Sequence, residues 1–284
     1  MTRSRRAIAR VGCHFAIPDT NTFTQRIFTM PDPTYFTQYE NFAIDRTDDG
    51  VLTVRFHTDG QKIVFTGQTH ADFPELLEAI ALDPDNKVMV LTGTGDAFMD
   101  GIDGATLGEV FKPAHWERRI RTEGTKVLQR LIDLPIPVVG VANGPVTVHT
   151  EYLLLADIHI ASETATYGDP AHPNFAFAAG DGVHVVWEEA VGSARAKWLL
   201  WTGDVIDAAT AQDWGIVSEV LPADKVLARG LEIARTLAAK PALWRSLQKQ
   251  VLNQNMRRRI VNDVPFGMAL EAMTAADLPY QGQS

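Results

Sequence analysis

Short apolar runs separated by tight turns mark the first part of the chain. Between residues 42 and 65 these runs flank Asp48-Asp49-Gly50 and Asp59-Gly60, a pattern typical of strands joined by turns. A helix is expected to follow and to end at Leu82. Helical spacing returns at residues 116–132, and continuous apolar runs predict buried strands at residues 87–91, 137–142 and 157–161. Strands that alternate with helices in this way predict an α/β fold with a largely parallel sheet.

The last part of the chain is predicted to be helical. Asp207 is expected to cap the N-terminus of a short helix and Gly215 to end it. Amphipathic patterns then predict three further helices, at residues 222–239, 241–252 and 257–276. The α/β body is therefore expected to end in a helical tail, residues 222–284.

Composition indicates a large folded body that binds a small molecule. The chain has 284 residues, of which 45% are hydrophobic and 21% charged, so a sizeable core is expected. Its formal net charge of -9 argues against nucleic acid and anionic membranes as partners, because phosphate groups are bound by clustered Lys and Arg. No apolar window reaches the roughly 18 residues of a membrane span. We expect a small-molecule ligand and residence in the cytoplasm.

Residues 1–30 differ from the rest, with five arginines against one aspartate. This segment is expected to be a disordered extension or a misassigned start upstream of Met30, and an Arg-rich targeting segment is the alternative. Residues 31–284 are predicted to form a single domain. Because Cys13 is the only cysteine of the sequence, that domain is expected to have neither a disulfide nor a thiolate metal site.

Two segments resemble a known superfamily. Residues 135–170, PIPVVGVANGPVTVHTEYLLLADIHIASETATYGDP, resemble the central segment of the crotonase (enoyl-CoA hydratase/isomerase) superfamily, and residues 201–226, WTGDVIDAATAQDWGIVSEVLPADKV, resemble a second signature of it. The resemblance covers about residues 39–278. It implies a crotonase-fold catalytic domain, an α/β spiral of repeated ββα units with a helical C-terminal tail, assembled as a homotrimer or a dimer of trimers.

The crotonase resemblance also implies a pair of backbone N–H groups that stabilise an enolate or oxyanion. The first N–H is expected at Ile102 and the second near Val148. Where the relatives ordinarily have a Gly-Gly pair, this chain has Val148-His149. His149 is therefore expected at a helix start beside the reacting carbonyl, where its side chain becomes a candidate donor.

Hydratases of the superfamily hold and activate water with two glutamates. Glu151 corresponds to the first of them, whereas Ala171 occupies the position of the second. Loss of an acid–base group lowers rates by about 10²- to 10⁴-fold, so water addition to an enoyl thioester is disfavoured. Glu151 is expected to persist only as a structural polar contact.

Histidines and carboxylates close to these positions offer different chemistry. A carboxylate can fix the tautomer of an imidazole so that the other ring nitrogen takes a proton from water, and Asp181 is expected to do this for His172. With His149 and Glu271, this pair resembles the carbon–carbon bond hydrolases of the superfamily, the 6-oxocamphor hydrolase type, which cleave β-diketones by a retro-Claisen reaction. The resemblance implies a site without coenzyme A, other cofactors or metal.

One departure and several structural alternatives accompany this resemblance. The camphor-type enzyme has a tryptophan whose indole N–H helps to hold a substrate carbonyl, whereas Phe65 keeps the apolar wall and lacks the donor. Asp181 is also a suitable cap for a helix that starts at Val183. Glu271 would otherwise belong to a solvated helix face, and His70 is expected at the surface.

The predicted function is hydrolysis of a cyclic or bicyclic β-diketone to a keto acid. His149 is expected to donate a hydrogen bond to a ketone oxygen, while His172, oriented by Asp181, removes a proton from the attacking water. Glu271 is expected to hold the water or the dyad. Two alternatives stay open: a coenzyme A thioester hydratase or isomerase that uses Glu151 alone, and a non-catalytic crotonase-fold subunit that serves assembly or binding.

Overall fold

The computed structural model describes residues 33–280, so the predicted extension at residues 1–30 and Cys13 lie outside the described residues. Strands in the described part are β1 (Phe42–Arg46), β2 (Val51–Phe56), β3 (Val88–Gly93), β4 (Val138–Ala142), β5 (Ile158–Ser162), β6 (Thr166–Tyr167), β7 (Ile206–Asp207) and β8 (Glu219–Leu221).

Six of these strands form one sheet in the order β1-β2-β3-β4-β5-β8. β1 and β2 pair antiparallel across a tight turn, and every later pairing in this sheet is parallel. β6 and β7 form a separate antiparallel pair. The predicted α/β class with a largely parallel sheet is confirmed.

The helices fill the intervals between the strands. They are α1 (Tyr35–Gln38), α2 (Gly67–Leu82), α3 (Pro113–His115), α4 (Arg121–Asp133), α5 (Glu151–Leu154), α6 (Ala171–Phe175), α7 (Val183–Val191), α8 (Ser193–Thr202), α9 (Ala208–Asp213), α10 (Ala223–Ala238), α11 (Ala242–Leu252) and α12 (Gln254–Asp277). A π-helical turn, Trp116–Ile120, leads into α4, and 3₁₀ turns occupy Gly104–Leu107 and Leu278–Tyr280. No helix of residues 33–280 has the length and apolarity needed to cross a bilayer.

The central strands are apolar because both faces of the sheet are covered. Successive side chains of a strand point to opposite faces, so Val88 and Val90 of β3 join one cluster while Met89 and Leu91 join the other. α10 covers the first face and packs along β2, β3, β4 and β5. Gly230 permits this close approach, since a Cβ there would lie 2.5 Å from a methyl group of Val141.

The residues predicted to begin and end the short helix are confirmed. The Asp207 carboxylate accepts a hydrogen bond from the Thr210 N–H at 2.8 Å and caps α9, and Gly215 follows that helix with a φ of +83°. α10, α11 and α12 correspond to the three predicted C-terminal helices, with ends that differ by at most three residues.

The helical tail is held against the sheet by a buried ion pair. Lys249 of α11 donates to Asp157 Oδ2 at 2.8 Å, and Asn253 donates to the other oxygen of Asp157 at 3.0 Å. The same Asp157 accepts from the Val138 N–H at the start of β4. α12 then runs back across α4 and α7 of its own chain, and this return places Glu271 at the site described below.

Candidate functional site

A cavity of about 260 Å³ lies among α4, α5, α6 and α12 and has mainly apolar walls. Neither Lys nor Arg is among the described residues that line it. The lining includes three histidines and four carboxylates: His70, His149, His172, Glu151, Asp169, Asp181 and Glu271. An apolar pocket with a few convergent polar groups suits a small ligand, and the absence of Lys and Arg from its described lining residues disfavours an anionic one.

The loop after β4 puts His149 in a strained backbone conformation. Asn143 anchors the loop by accepting from the Gly93 N–H at 3.0 Å and donating to the Ala97 carbonyl at 2.9 Å. Gly144 is needed because a Cβ there would lie 1.8 Å from a backbone oxygen. His149 has a φ of +47°, in the left-handed region that side chains other than glycine seldom adopt. Such strain concentrates at functional positions.

Glu151, the first residue of α5, holds the His149 ring. Its Oε1 lies 2.8 Å from His149 Nδ1, and its side chain is buried. The imidazole stacks on Tyr152 with ring centroids 4.8 Å apart and an angle of 3°. Phe65 contacts the same imidazole, with a centroid distance of 4.2 Å. Glu151 is therefore an orienting group for His149, a role that the sequence did not reveal.

The His149–Glu151 pair retains a proton on the ring. Burial opposes protonation of His149, but the Glu151 charge and hydrogen bond outweigh it and raise the pKa of the imidazole. Burial also raises the pKa of the Glu151 carboxyl. The raised pKa favours the protonated ring, in which Nδ1–H donates to Glu151 and Nε2–H can donate to a ligand oxygen.

His172 is oriented by Asp169, which corrects the predicted pairing with Asp181. His172 is buried on α6, and its Nδ1 lies 2.6 Å from Asp169 Oδ2. Asp181 Oδ1 lies 3.7 Å from the opposite nitrogen, Nε2, too far for a hydrogen bond. The carboxylate that fixes the tautomer thus lies three residues before His172, because the short turn of α6 folds the ring back onto Asp169.

The Nε2 side of His172 faces two carboxylates from distant parts of the chain. Glu271 Oε1 lies 3.5 Å from Nε2, and Glu271 is buried, so the alternative of a solvated helix face is wrong. Asp181 also accepts from the Val183 N–H at 3.3 Å, as expected of a residue near the start of α7. The structure therefore brings together His172, Asp181 and Glu271, and Asp181 serves the helix start as well.

The charges of this group are strongly coupled. Burial opposes protonation of His172, but Asp181, Asp169 and Glu271 outweigh it and raise the pKa of the imidazole well above its usual value. Burial acts against ionisation of Asp181, yet His172 and His149 hold its pKa below the usual range. Burial and the Asp181 charge raise the pKa of Glu271 to about 7. The shifts of His172 and Asp181 both favour an imidazolium–aspartate pair, and the Glu271 carboxyl beside it has a pKa near neutral pH.

The backbone N–H groups at the two expected donor positions differ in their partners. Ile102 lines the cavity, and its N–H makes no backbone hydrogen bond within residues 33–280. The Val148 N–H instead donates to the Met99 carbonyl at 3.2 Å, beside Thr147, which donates to the same oxygen at 3.0 Å. The Val148 N–H is therefore engaged by the segment around Met99, and the expected second donor near Val148 stays a prediction. Val148 contributes its side chain to the cavity wall.

Phe65 and His70 lie beside the His149 ring. Phe65 is fully buried, contacts the His149 ring and is not among the described residues that line the cavity, so its expected contact with substrate stays a prediction. His70 is buried and lines the cavity, although a surface position was expected. Its Nδ1 lies 2.7 Å from Glu123 Oε2, and burial lowers its pKa. Only the packing of α2 against α4 reveals this contact.

Comparison with known proteins assigns the family. The family model described as enoyl-CoA hydratase/isomerase matches residues 46–277. The chain belongs to the enoyl-CoA hydratase/isomerase family. One relative in this family, the crotonyl-CoA hydratase of Syntrophomonas wolfei, is 26% identical over 236 residues, which are 82% of this chain and 88% of the relative.

Solved structures of the enoyl-CoA hydratase/isomerase family share the fold. A β-diketone hydrolase from the cyanobacterium Anabaena sp. PCC 7120, bound to (S)-3-oxocyclohexyl acetic acid, is 42% identical with a TM-score of 0.86, and the match covers 88% of this chain and 100% of that one. An enoyl-CoA hydratase/isomerase from Mycobacterium paratuberculosis, at 23% identity and a TM-score of 0.77, matches 84% and 94% of the two chains and shows the fold alone. The predicted crotonase fold and the resemblance to β-diketone hydrolases are confirmed.

Proposed function

We propose that this chain hydrolyses a carbon–carbon bond of a cyclic or bicyclic β-diketone and releases a keto acid. The observation that carries the proposal is the presence of two carboxylate-bound histidines, His149 and His172, on one cavity whose described lining residues include no Lys or Arg. A neutral diketone matches this lining. The 42% identity to the Anabaena β-diketone hydrolase supports the same reaction class.

His149 is the proposed donor to a ketone oxygen. Its Nδ1 is occupied by Glu151, so Nε2–H is the group left for the substrate. A donor aimed at an oxygen that gains negative charge stabilises the transition state more than the ground state. The Ile102 N–H, which has no backbone partner in the described part of the chain, would be a second donor to developing charge.

His172 is the proposed base. With Nδ1–H donated to Asp169, the neutral ring accepts a proton at Nε2 from water, and the water oxygen bonds to one carbonyl carbon of the diketone. The carbon–carbon bond next to that carbon then breaks, and its electron pair passes into the enolate of the second ketone. The proton held at Nε2 returns to the enolate carbon. Asp181 and Glu271 would hold the attacking water near Nε2.

Coenzyme A chemistry is the rival activity, because the curated relative and the family model include enoyl-CoA hydratases. Two observations argue against it here. Ala171 lines the cavity at the position where a hydratase has its second glutamate, and Glu151 is committed to His149. Among the described residues, the glutamate pair of a hydratase is therefore incomplete, which disfavours water addition to an enoyl thioester.

A substrate panel tests the proposal. The purified chain is assayed with monocyclic and bicyclic 1,3-diketones and with crotonyl-CoA, by ultraviolet loss of substrate and by mass gain of one water. We expect diketone turnover, and a loss of about 10²- to 10³-fold in His149→Ala, the scale for one oxyanion donor. His57→Ala, outside the cavity lining, is the matched control. Preferential turnover of crotonyl-CoA would support the hydratase alternative, and no turnover of either would support the non-catalytic one.

We also propose that the chain assembles as a homotrimer or a dimer of trimers. Large apolar side chains remain exposed on α8, α11 and α12, and such groups are typical of contact surfaces. They include Trp198, Trp201, Leu243, Val251 and Phe266. Sedimentation equilibrium should give the mass of a trimer or hexamer, and a monomer at micromolar concentration would exclude both.

A further inference from the structure

The distances around His172 Nε2 do not match hydrogen bonds. Glu271 Oε1 lies at 3.5 Å and Asp181 Oδ1 at 3.7 Å, whereas N–H···O bonds lie at about 2.7–3.2 Å. Ligand atoms of a tetrahedral ion with bonds of about 2.0–2.1 Å are separated by about 3.3 Å. The two distances from Nε2 are therefore close to the spacing of ligand atoms around a metal ion, and candidate ligand atoms of the three residues all lie within 4.8 Å of one another.

The opposite side of the His172 ring has the arrangement of a metal-binding histidine. Nδ1 contacts Asp169 at 2.6 Å, so in the neutral ring the Nε2 lone pair points away from Asp169. Metal-binding histidines usually donate their other ring N–H to a carboxylate or carbonyl, which fixes the tautomer and raises the basicity of the ligating nitrogen. Asp169 supplies that carboxylate.

Glu271 supplies an independent sign of a missing partner. It is 5% exposed, and its second oxygen, Oε2, is buried without a hydrogen-bond partner among the described residues. A buried carboxylate oxygen without a partner is unfavourable, so a cation or a donor from a ligand is expected to contact it. Oε2 of Glu151, in the neighbouring group that shares Asp181, is unpartnered in the same way.

Charge also favours a cation at this position. Four carboxylates line the cavity, and neither Lys nor Arg is among its described lining residues. A mixed set of imidazole and carboxylate ligands suits Zn²⁺ better than Ca²⁺ or Mg²⁺, which prefer oxygen ligands alone.

We propose that His172, Asp181 and Glu271 bind one Zn²⁺ ion per chain and that this ion inhibits the hydrolase. Binding depends only on the geometry above. Inhibition rests on the proposed function: coordination occupies the Nε2 lone pair, so His172 no longer accepts a proton from water.

Zinc binding is measured without any diketone. Isothermal titration of ZnCl₂ into the intact protein, checked by equilibrium dialysis and metal analysis, should give one tight site per chain. Glu271→Gln and Asp181→Asn each keep the side-chain shape and should weaken that site by at least about tenfold, and Asp169→Asn by about 10- to 100-fold, as for outer partners of metal ligands. His57→Ala is the matched control and should bind zinc as the wild type does. Circular dichroism confirms that each variant is folded.

Measurements of diketone hydrolysis with and without Zn²⁺ separate the proposed zinc site from the proposed hydrolase function. Saturating Zn²⁺ should abolish diketone hydrolysis, and a chelator should restore it. Absence of a stoichiometric site, or a site unchanged in folded Glu271→Gln and Asp181→Asn proteins, would overturn the zinc site. Faster hydrolysis with Zn²⁺ would overturn the inhibitory role. A protein that binds zinc at these residues but turns over no diketone would retain the metal site and lose the proposed function.

Discussion

Asp169→Asn tests which carboxylate orients His172. Asp169 contacts Nδ1 at 2.6 Å, while Asp181 lies 3.7 Å from Nε2. Asparagine keeps the size of the aspartate but presents an amide. If its NH₂ turns to His172, Nδ1 becomes the acceptor and the ring proton moves to Nε2, the atom proposed to take a proton from water.

The expected loss has two limits. A hydrogen bond to a charged group contributes about 1.5–3 kcal/mol, so a weaker contact alone lowers kcat by about 13- to 160-fold. A complete change of tautomer lowers it by about 10⁴-fold, as the equivalent substitution does in a serine protease triad. Since Asp169 is buried and its contact is short, we expect a loss between these limits.

The assay combines kinetics with a direct view of the ring. Diketone loss gives kcat, thermal melting confirms that each variant is folded, and ¹⁵N NMR of labelled histidine reports the His172 tautomer. Asp181→Asn is the matched comparison, because it leaves the Asp169 contact in place. We expect the tautomer to change in Asp169→Asn and to stay unchanged in Asp181→Asn. Wild-type kcat in a folded Asp169→Asn protein, or a tautomer change only in Asp181→Asn, would refute the assignment.

Three further predictions follow from the same geometry. Because His149 has a φ of +47°, His149→Gly should be more stable to urea than His149→Ala by about 1 kcal/mol, with similar losses of activity; equal stabilities would contradict the strain. Burial opposes protonation of His172, but the nearby carboxylates outweigh it and raise its pKa. Because the proposed base acts only in its unprotonated form, the rising limb of the kcat/KM–pH profile should lie above the usual pKa range of histidine. Glu271→Gln should move that limb to lower pH, and a limb that stays in place would exclude the contact. Phe65→Trp should lose about 1–3 kcal/mol of stability by overpacking and should lower kcat/KM. A faster and equally stable variant would instead indicate that Phe65 contacts the substrate.

Local patterns were enough to predict the architecture of this chain. Periods of two and 3.6 residues are set by backbone geometry, so the runs that became β3, β4 and β5 and the amphipathic stretches that became α10, α11 and α12 were visible in the sequence. The segment from Asn143 to Glu151 likewise placed His149 just before a short helix, because the motif lies within one loop. The roles of the site residues remain predictions.

Tertiary packing decided which groups in the site touch. Asp169 and Asp181 are both near His172 in the sequence, and only the rotation of the ring in α6 gives Nδ1 to Asp169. Glu271 reaches Nε2 because α12 folds back across α4 and α7 of its own chain. Phe65 likewise contacts the His149 ring from a distant part of the chain. Sequence spacing specifies local conformation, but hydrogen-bond partners depend on side-chain torsions and on contacts between distant segments, which form only when the core packs.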